Sequence, residues 1–68
     1  MINLLLNGQP KAVEPSLTLL ALIQAMGLNP EFLVAEVNGD IIQSAQFALR
    51  LLNDQDKVEL IQFVGGGQ

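Results

Sequence analysis

The chain has 68 residues, half of them hydrophobic, which is the size of one small domain with enough apolar side chains for a core. It has no Cys, His, Trp or Tyr; without a thiol, the commonest general base or the commonest metal ligand, the composition argues against a self-contained catalytic site. The net charge is −4, and the only cations, Lys11, Arg50 and Lys57, are scattered, which argues against nucleic acid as a partner.

In chain order, Ile2 to Asn7 alternates apolar and mixed positions and predicts a strand. Asn7-Gly8 is a tight-turn signal, because both residues tolerate positive φ. A second strand is expected from Gln9 or Pro10 to about Glu14, with Pro10 at its start or on an edge, since proline cannot donate to a ladder. A helix follows. Thr18 is the favoured N-cap over Ser16, because Leu17 before the cap and Leu22 in the first turn then make a hydrophobic staple. Leu19, Leu22, Ile23 and Met26 recur at helical spacing as one stripe, and Leu17 and Leu20 fall away from it. Gly27 is the expected C′ residue, with Pro30 preventing continuation.

Phe32 to Val37 predicts a third strand, with Leu33, Ala35 and Val37 on one face and Val34 and Glu36 on the other. Asn38-Gly39-Asp40 is a turn into a short strand at Ile41-Ile42. Ser44 to Leu52 shows partial helical periodicity and is read as a short helix or 3₁₀ turn. Asn53 to Asp56 is a polar turn; Asp54 and Asp56 lack the longer pattern of a calcium loop, so turn chemistry accounts for them and no metal is expected. Lys57 to Phe63 is the last strand. The apolar run Leu19 to Ile23 is too short to span a bilayer and no secretory leader is evident, so a soluble cytoplasmic protein without membrane association is the natural reading.

The element order predicts an α+β domain, a mixed sheet with one main helix packed on one face, in which the first and last strands lie centrally side by side. Ile2, Leu4, Leu6, Ala35, Val37, Val58 and Leu60 would face the helix. The opposite face would carry Leu5, Val34, Ile61 and Phe63, four apolar residues where a solvated face should be polar, and so a candidate partner-binding patch. Packing by the Ser44–Leu52 segment is the alternative use of that face.

Val64, Gly65, Gly66, Gly67 and Gln68 follow the last strand directly. Residues 1–64 are expected to form the domain and 65–68 a flexible glycine-rich tail. Glycines make a slim extension able to approach another backbone closely, and they leave the terminal carboxylate unshielded by bulky neighbours. Such a tail suits entry into a partner's active site and modification of its end; an ordinary frayed terminus is the bland alternative.

The opening strand with Asn7-Gly8, the helix segment from Thr18 to Leu28, the stretch Val37-Asn38-Gly39-Asp40-Ile41-Ile42, and the closing run from Asp56 to Gly67 together resemble the ThiS family, β-grasp (ubiquitin-like) sulfur carriers of thiamin biosynthesis. The resemblance covers essentially the whole chain. It implies a carrier, not an enzyme, that binds no cofactor itself. An adenylating, E1-like activating enzyme would use ATP to adenylate the terminal glycine carboxylate. Sulfur supplied through a cysteine desulfurase system would then give a thiocarboxylate, which thiazole synthase would draw on for the thiazole ring. Gly67 and Gly66 are the modified end on this reading, Gly65 and Gln68 the rest of the tail, and Phe63, Ile61, Val64, Leu5 and Val34 the partner-binding set. Gln68 departs from the family's glycine ending and leaves open trimming to Gly67, tolerance of Gln68, or loss of carrier function. The small subunit of molybdopterin synthase, which stays bound to a larger subunit, shares the fold and a Gly-Gly end. A ubiquitin-like binding or tagging module, whose tail would join a lysine, and an inert stand-alone domain are the readings from other classes.

Overall fold

The computed structural model describes residues 1–63. The elements are β1 (Ile2–Leu6), β2 (Gln9–Val13), α1 (Leu19–Ala25), a 3₁₀ turn (Pro30–Phe32), β3 (Leu33–Val37), β4 (Asp40–Ile42), a second 3₁₀ turn (Ser44–Gln46) and β5 (Lys57–Gln62). One five-stranded sheet runs β2-β1-β5-β3-β4. The central pair β1 and β5 is parallel, and the remaining pairs are antiparallel. This is the mixed sheet with one helix, the β-grasp arrangement that the resemblance implies.

Local chemistry sets the turns. Asn7 (φ 49°) and Gly8 (φ 80°) both lie in the left-handed region that lets a two-residue turn follow the twist of its strands. Asn38 and Gly39 repeat the device between β3 and β4. Thr18 caps α1, its hydroxyl oxygen accepting from the Ala21 N–H at 3.1 Å. The helix ends in a Schellman motif. Gly27 at φ 74° lets its own N–H reach the Gln24 carbonyl while the Leu28 N–H reaches Ile23.

The core joins one face of the sheet to the helix: Leu4, Leu6, Ala35, Val37, Val58 and Leu60 with Leu19, Leu22 and Ile23. Val13, Leu33, Phe47 and Leu52 complete it, so the 44–52 segment packs into the core through two side chains and leaves Ala45, Ala48 and Leu51 exposed. Ile2, Leu17 and Leu20 pack at the rim.

Three expectations need correction. Met26 is 38% exposed, because the helical stripe is used only as far as Ile23 before the C-cap turns away. Phe32 belongs to a 3₁₀ turn rather than to β3. Asn29 caps that turn by accepting from the Glu31 N–H at 2.9 Å, and Pro30 supplies the helical φ at its first position. β1 stops at Leu6, since Asn7 is already in the turn. Among the described residues no helix is long and apolar enough to cross a membrane.

Candidate functional site

The face of the sheet opposite the helix carries Leu5, Val34, Ile61 and Phe63, all substantially exposed. The 44–52 segment does not cover them; it contributes to the other face. Strand alternation explains the split. On β5, Val58 and Leu60 point into the core, so Lys57, Glu59 and Ile61 point outward. On β3, Leu33, Ala35 and Val37 point inward and Val34 and Glu36 outward.

Register decides which of these residues meet. Val34 stands directly opposite Ile61, and Glu36 directly opposite Glu59. Phe63 follows Ile61 past the end of β5, and its N–H donates to the Phe32 carbonyl at 2.9 Å. The two rings meet edge to face, with centroids 6.3 Å apart and planes at 86°. Phe32, Val34, Ile61 and Phe63 are therefore one apolar patch at the end of the sheet where β5 exits. Phe32 joins the patch unforeseen. Its signal was in the sequence, since the alternation of β3 continued back from Val34 puts Phe32 on the same outward face.

Leu5 does not belong to that patch. It pairs with Lys57 across the parallel β1–β5 ladder, so Lys57 and Glu59 lie between it and Ile61 along the outward face of β5. The expectation of one four-residue patch is corrected to three of its members plus Phe32, with Leu5 apart. Ile41, 65% exposed, lies opposite Glu36 on the same face. The patch thus ends in a pair of carboxylates, beyond which stand single apolar side chains.

Asn7 and Asn38 hold β5 in place from its two sides. The Asn7 carboxamide accepts from the Leu60 N–H at 2.8 Å and donates to the Leu60 carbonyl at 3.3 Å. The Asn38 carboxamide accepts from the Lys57 N–H at 2.9 Å and donates to Asp56 at 2.8 Å. Asp56 is buried, and its second oxygen accepts from the Asn53 N–H at 2.8 Å. The carboxylate is thereby consumed in closing the 53–56 turn, consistent with the turn role read from sequence. Asp54 accepts from the Asn3 N–H at 2.7 Å, chiefly for which reason its carboxyl sits below its ordinary pKa, with Gln55 helping. Among the described residues no group of three potential ligands gathers for a metal ion. Val64, Gly65, Gly66, Gly67 and Gln68 lie outside the described residues, which reach the patch at Phe63.

Residues 4–67 match the model of the ThiS family. The chain is similar to a crystal structure of the thiamine biosynthesis protein ThiS from Geobacter metallireducens, with a TM-score of 0.83 and 33% identity over 97% of this chain and 100% of that one. It is 36% identical over 66 residues to a protein of Porphyra purpurea called ycf40, covering 97% of this chain and 93% of that protein. It is also 33% identical over 63 residues to the thiazole synthase of Magnetococcus marinus, covering 93% of this chain but 19% of that protein. The thiazole synthase of Paramagnetospirillum magneticum gives 32% over 66 residues and 20% of its length. The chain thus spans about a fifth of each thiazole synthase it matches.

Proposed function

The chain belongs to the ThiS family, and from that membership we propose that it is a sulfur carrier of thiamin biosynthesis, acting in the cytoplasm as a protein substrate rather than as an enzyme. A free carboxylate is a poor electrophile, so the terminal carboxylate is first joined to AMP by an activating enzyme that spends ATP. Sulfur delivered through a cysteine desulfurase system displaces AMP and leaves a terminal thiocarboxylate, a soft nucleophile that thiazole synthase uses. The chain itself holds no cofactor. Its absence of Cys and His suits this role, because the sulfur resides on the terminus rather than on a thiol side chain.

One observation carries this reading. The exposed apolar patch of Phe32, Val34, Ile61 and Phe63 lies across the start of β3 and the end of β5, and the sequence runs on from Phe63 through Val64 into Gly65-Gly66-Gly67-Gln68. A partner that grips the patch holds Phe63, the residue from which the tail continues. The thiazole synthases that contain a region similar to this chain support thiazole synthase as the recipient. Gly67 is the proposed reactive end after removal of Gln68, with Gly66 behind it; reaction on a tolerated Gln68 is the alternative chemistry.

The test is the intact mass of the protein isolated from its native cells. A mass lacking Gln68, with a fraction in which one oxygen is replaced by sulfur, is the expected result. The same exchange on a full-length mass moves the chemistry to Gln68. A full-length, unmodified mass with the activating enzyme and sulfur source abundant overturns the proposal.

A further inference from the structure

We propose that Asn7 is a positioning residue for the tail: its carboxamide takes the place of the strand that β1 lacks beside Leu60 and so aims the last residues of β5 at the partner's reacting centre. This rests on the carrier reading above.

The parallel ladder between β1 and β5 is short. The Leu5 N–H donates to Asp56 and the Asn7 N–H to Val58, and β1 then turns away at Asn7-Gly8 while β5 continues to Gln62. A strand continuing past Asn7 would offer Leu60 a backbone carbonyl and, further on, an N–H. The hairpin withdraws both. One side chain replaces them, with its oxygen on the Leu60 N–H and its nitrogen on the Leu60 carbonyl. The positive φ of Asn7 allows this. In the left-handed conformation the residue forms the turn while its amide lies back against β5. Glycine would make the same turn without the amide, and aspartate would set a second oxygen against the Leu60 carbonyl.

Beyond Leu60 the strand is held on its other side, through the Leu33–Gln62 pairing and the Phe63 N–H on Phe32. Among the described residues, Asn7 is therefore the last tie on the β1 side of β5. Leu60 itself is buried, so its backbone cannot exchange this partner freely for water. Without the tie, the exit of β5 hinges on β3 alone. The docking patch remains, but Ile61 to Phe63, which lead toward the terminus, are positioned less well. Transfer chemistry on a terminus is sensitive to such loss, since misplacement by about 1 Å can cost on the order of a hundredfold in rate.

The experiment compares the chain, carrying the C-terminus that the intact mass finds in native cells, with its Asn7→Gly variant as substrate for the activating enzyme and ATP, following pyrophosphate release. Hydrogen exchange at the Leu60 amide is measured alongside. The expected result is a kcat lowered by about tenfold with KM held within about twofold, together with faster exchange at Leu60 and continued protection at Val58. Asn38→Gly removes the other turn asparagine and serves as the control for general destabilisation; its kcat stays near that of the parent. Unchanged kcat in Asn7→Gly despite fast exchange at Leu60 overturns the proposal, as does an equal kcat loss in both variants. A parent chain that supports no pyrophosphate release, and whose native terminus carries no sulfur, overturns the carrier reading and this inference with it.

Discussion

Phe63 rests edge-on against Phe32 across the end of the sheet, at a centroid separation of 6.3 Å. The contact joins the last described residue of the chain to the 3₁₀ turn before β3. It fixes the apolar patch at the point where the tail departs. Both rings remain partly exposed, so each has surface left for a partner.

Replacing Phe63 by Ala therefore separates two quantities. Folding loses the edge-to-face contact, worth about 0.5–1.5 kcal/mol, and some buried ring area. Partner binding loses an aromatic anchor at the root of the tail, where truncation typically costs about 2 kcal/mol or more. Denaturant titration of the variant and calorimetry with the activating enzyme give the two numbers. Equal losses would mean that Phe63 is a structural residue and no more.

The register separates Leu5 from the patch, and this too has a measurable consequence. Ile61→Ser and Leu5→Ser each remove one exposed apolar side chain, and each should shift folding stability by under about 1 kcal/mol. Ile61 faces Val34 within the patch, whereas Leu5 faces Lys57 outside it. Binding to the activating enzyme should fall about tenfold or more for Ile61→Ser and by less than about threefold for Leu5→Ser. Comparable losses from both would restore the broader patch read from the sequence.

Asp54 gives a prediction about acid. Its carboxylate accepts from the Asn3 N–H and from Gln55, and its pKa lies below the ordinary value of 3.8. The folded state thus holds the proton less readily than the unfolded chain. The resulting stabilisation is fully present above that ordinary value and is lost as pH falls through the lowered one. Asp54→Asn should be less stable than the parent at about pH 6, and the difference should be smaller at an acid pH below the ordinary value of 3.8. Urea midpoints at the two pH values measure it. A difference that stays constant would show that the hydrogen bonds, and not the charge, carry the contribution.

Short-range chemistry made much of this fold legible. Thr18 before a helical stripe, Asn7-Gly8 and Asn38-Gly39 between alternating runs, and Gly27 before Leu28 each name their own conformation, and each is realised. Alternation also sorted β3 and β5 into inward and outward residues, so the core and the open face were readable. The rest depends on contacts between distant residues. Nothing near Leu5 reveals that Lys57 will be its neighbour. Nothing near Asn7 reveals that its amide will serve Leu60, 53 positions away. Asp56 reads as one more polar turn residue until Asn38 and Asn53 close around it. Phe32 departs from β3 for a local reason, because the 3₁₀ turn that Pro30 opens and Asn29 caps through the Glu31 N–H outcompetes strand propensity. The residues from Val64 to Gln68, to which the proposed chemistry is assigned, are legible in the sequence as a slim terminus and lie outside the described residues.

The place of β5 in the sheet also bears on how the chain comes to fold. The strand nearest the carboxyl end is the middle strand, and its parallel partner is the strand nearest the amino end. Joining them closes nearly the whole chain into one loop before the contact yields any return, which makes folding a slow, cooperative event dominated by non-local pairing. A nascent chain that has not yet delivered β5 has a gap at the centre of its sheet and no assembled patch. Any enzyme that acts on the tail only after gripping Val34, Ile61 and Phe63 is thereby inspecting the whole molecule, and spends nucleotide only on copies that have finished folding.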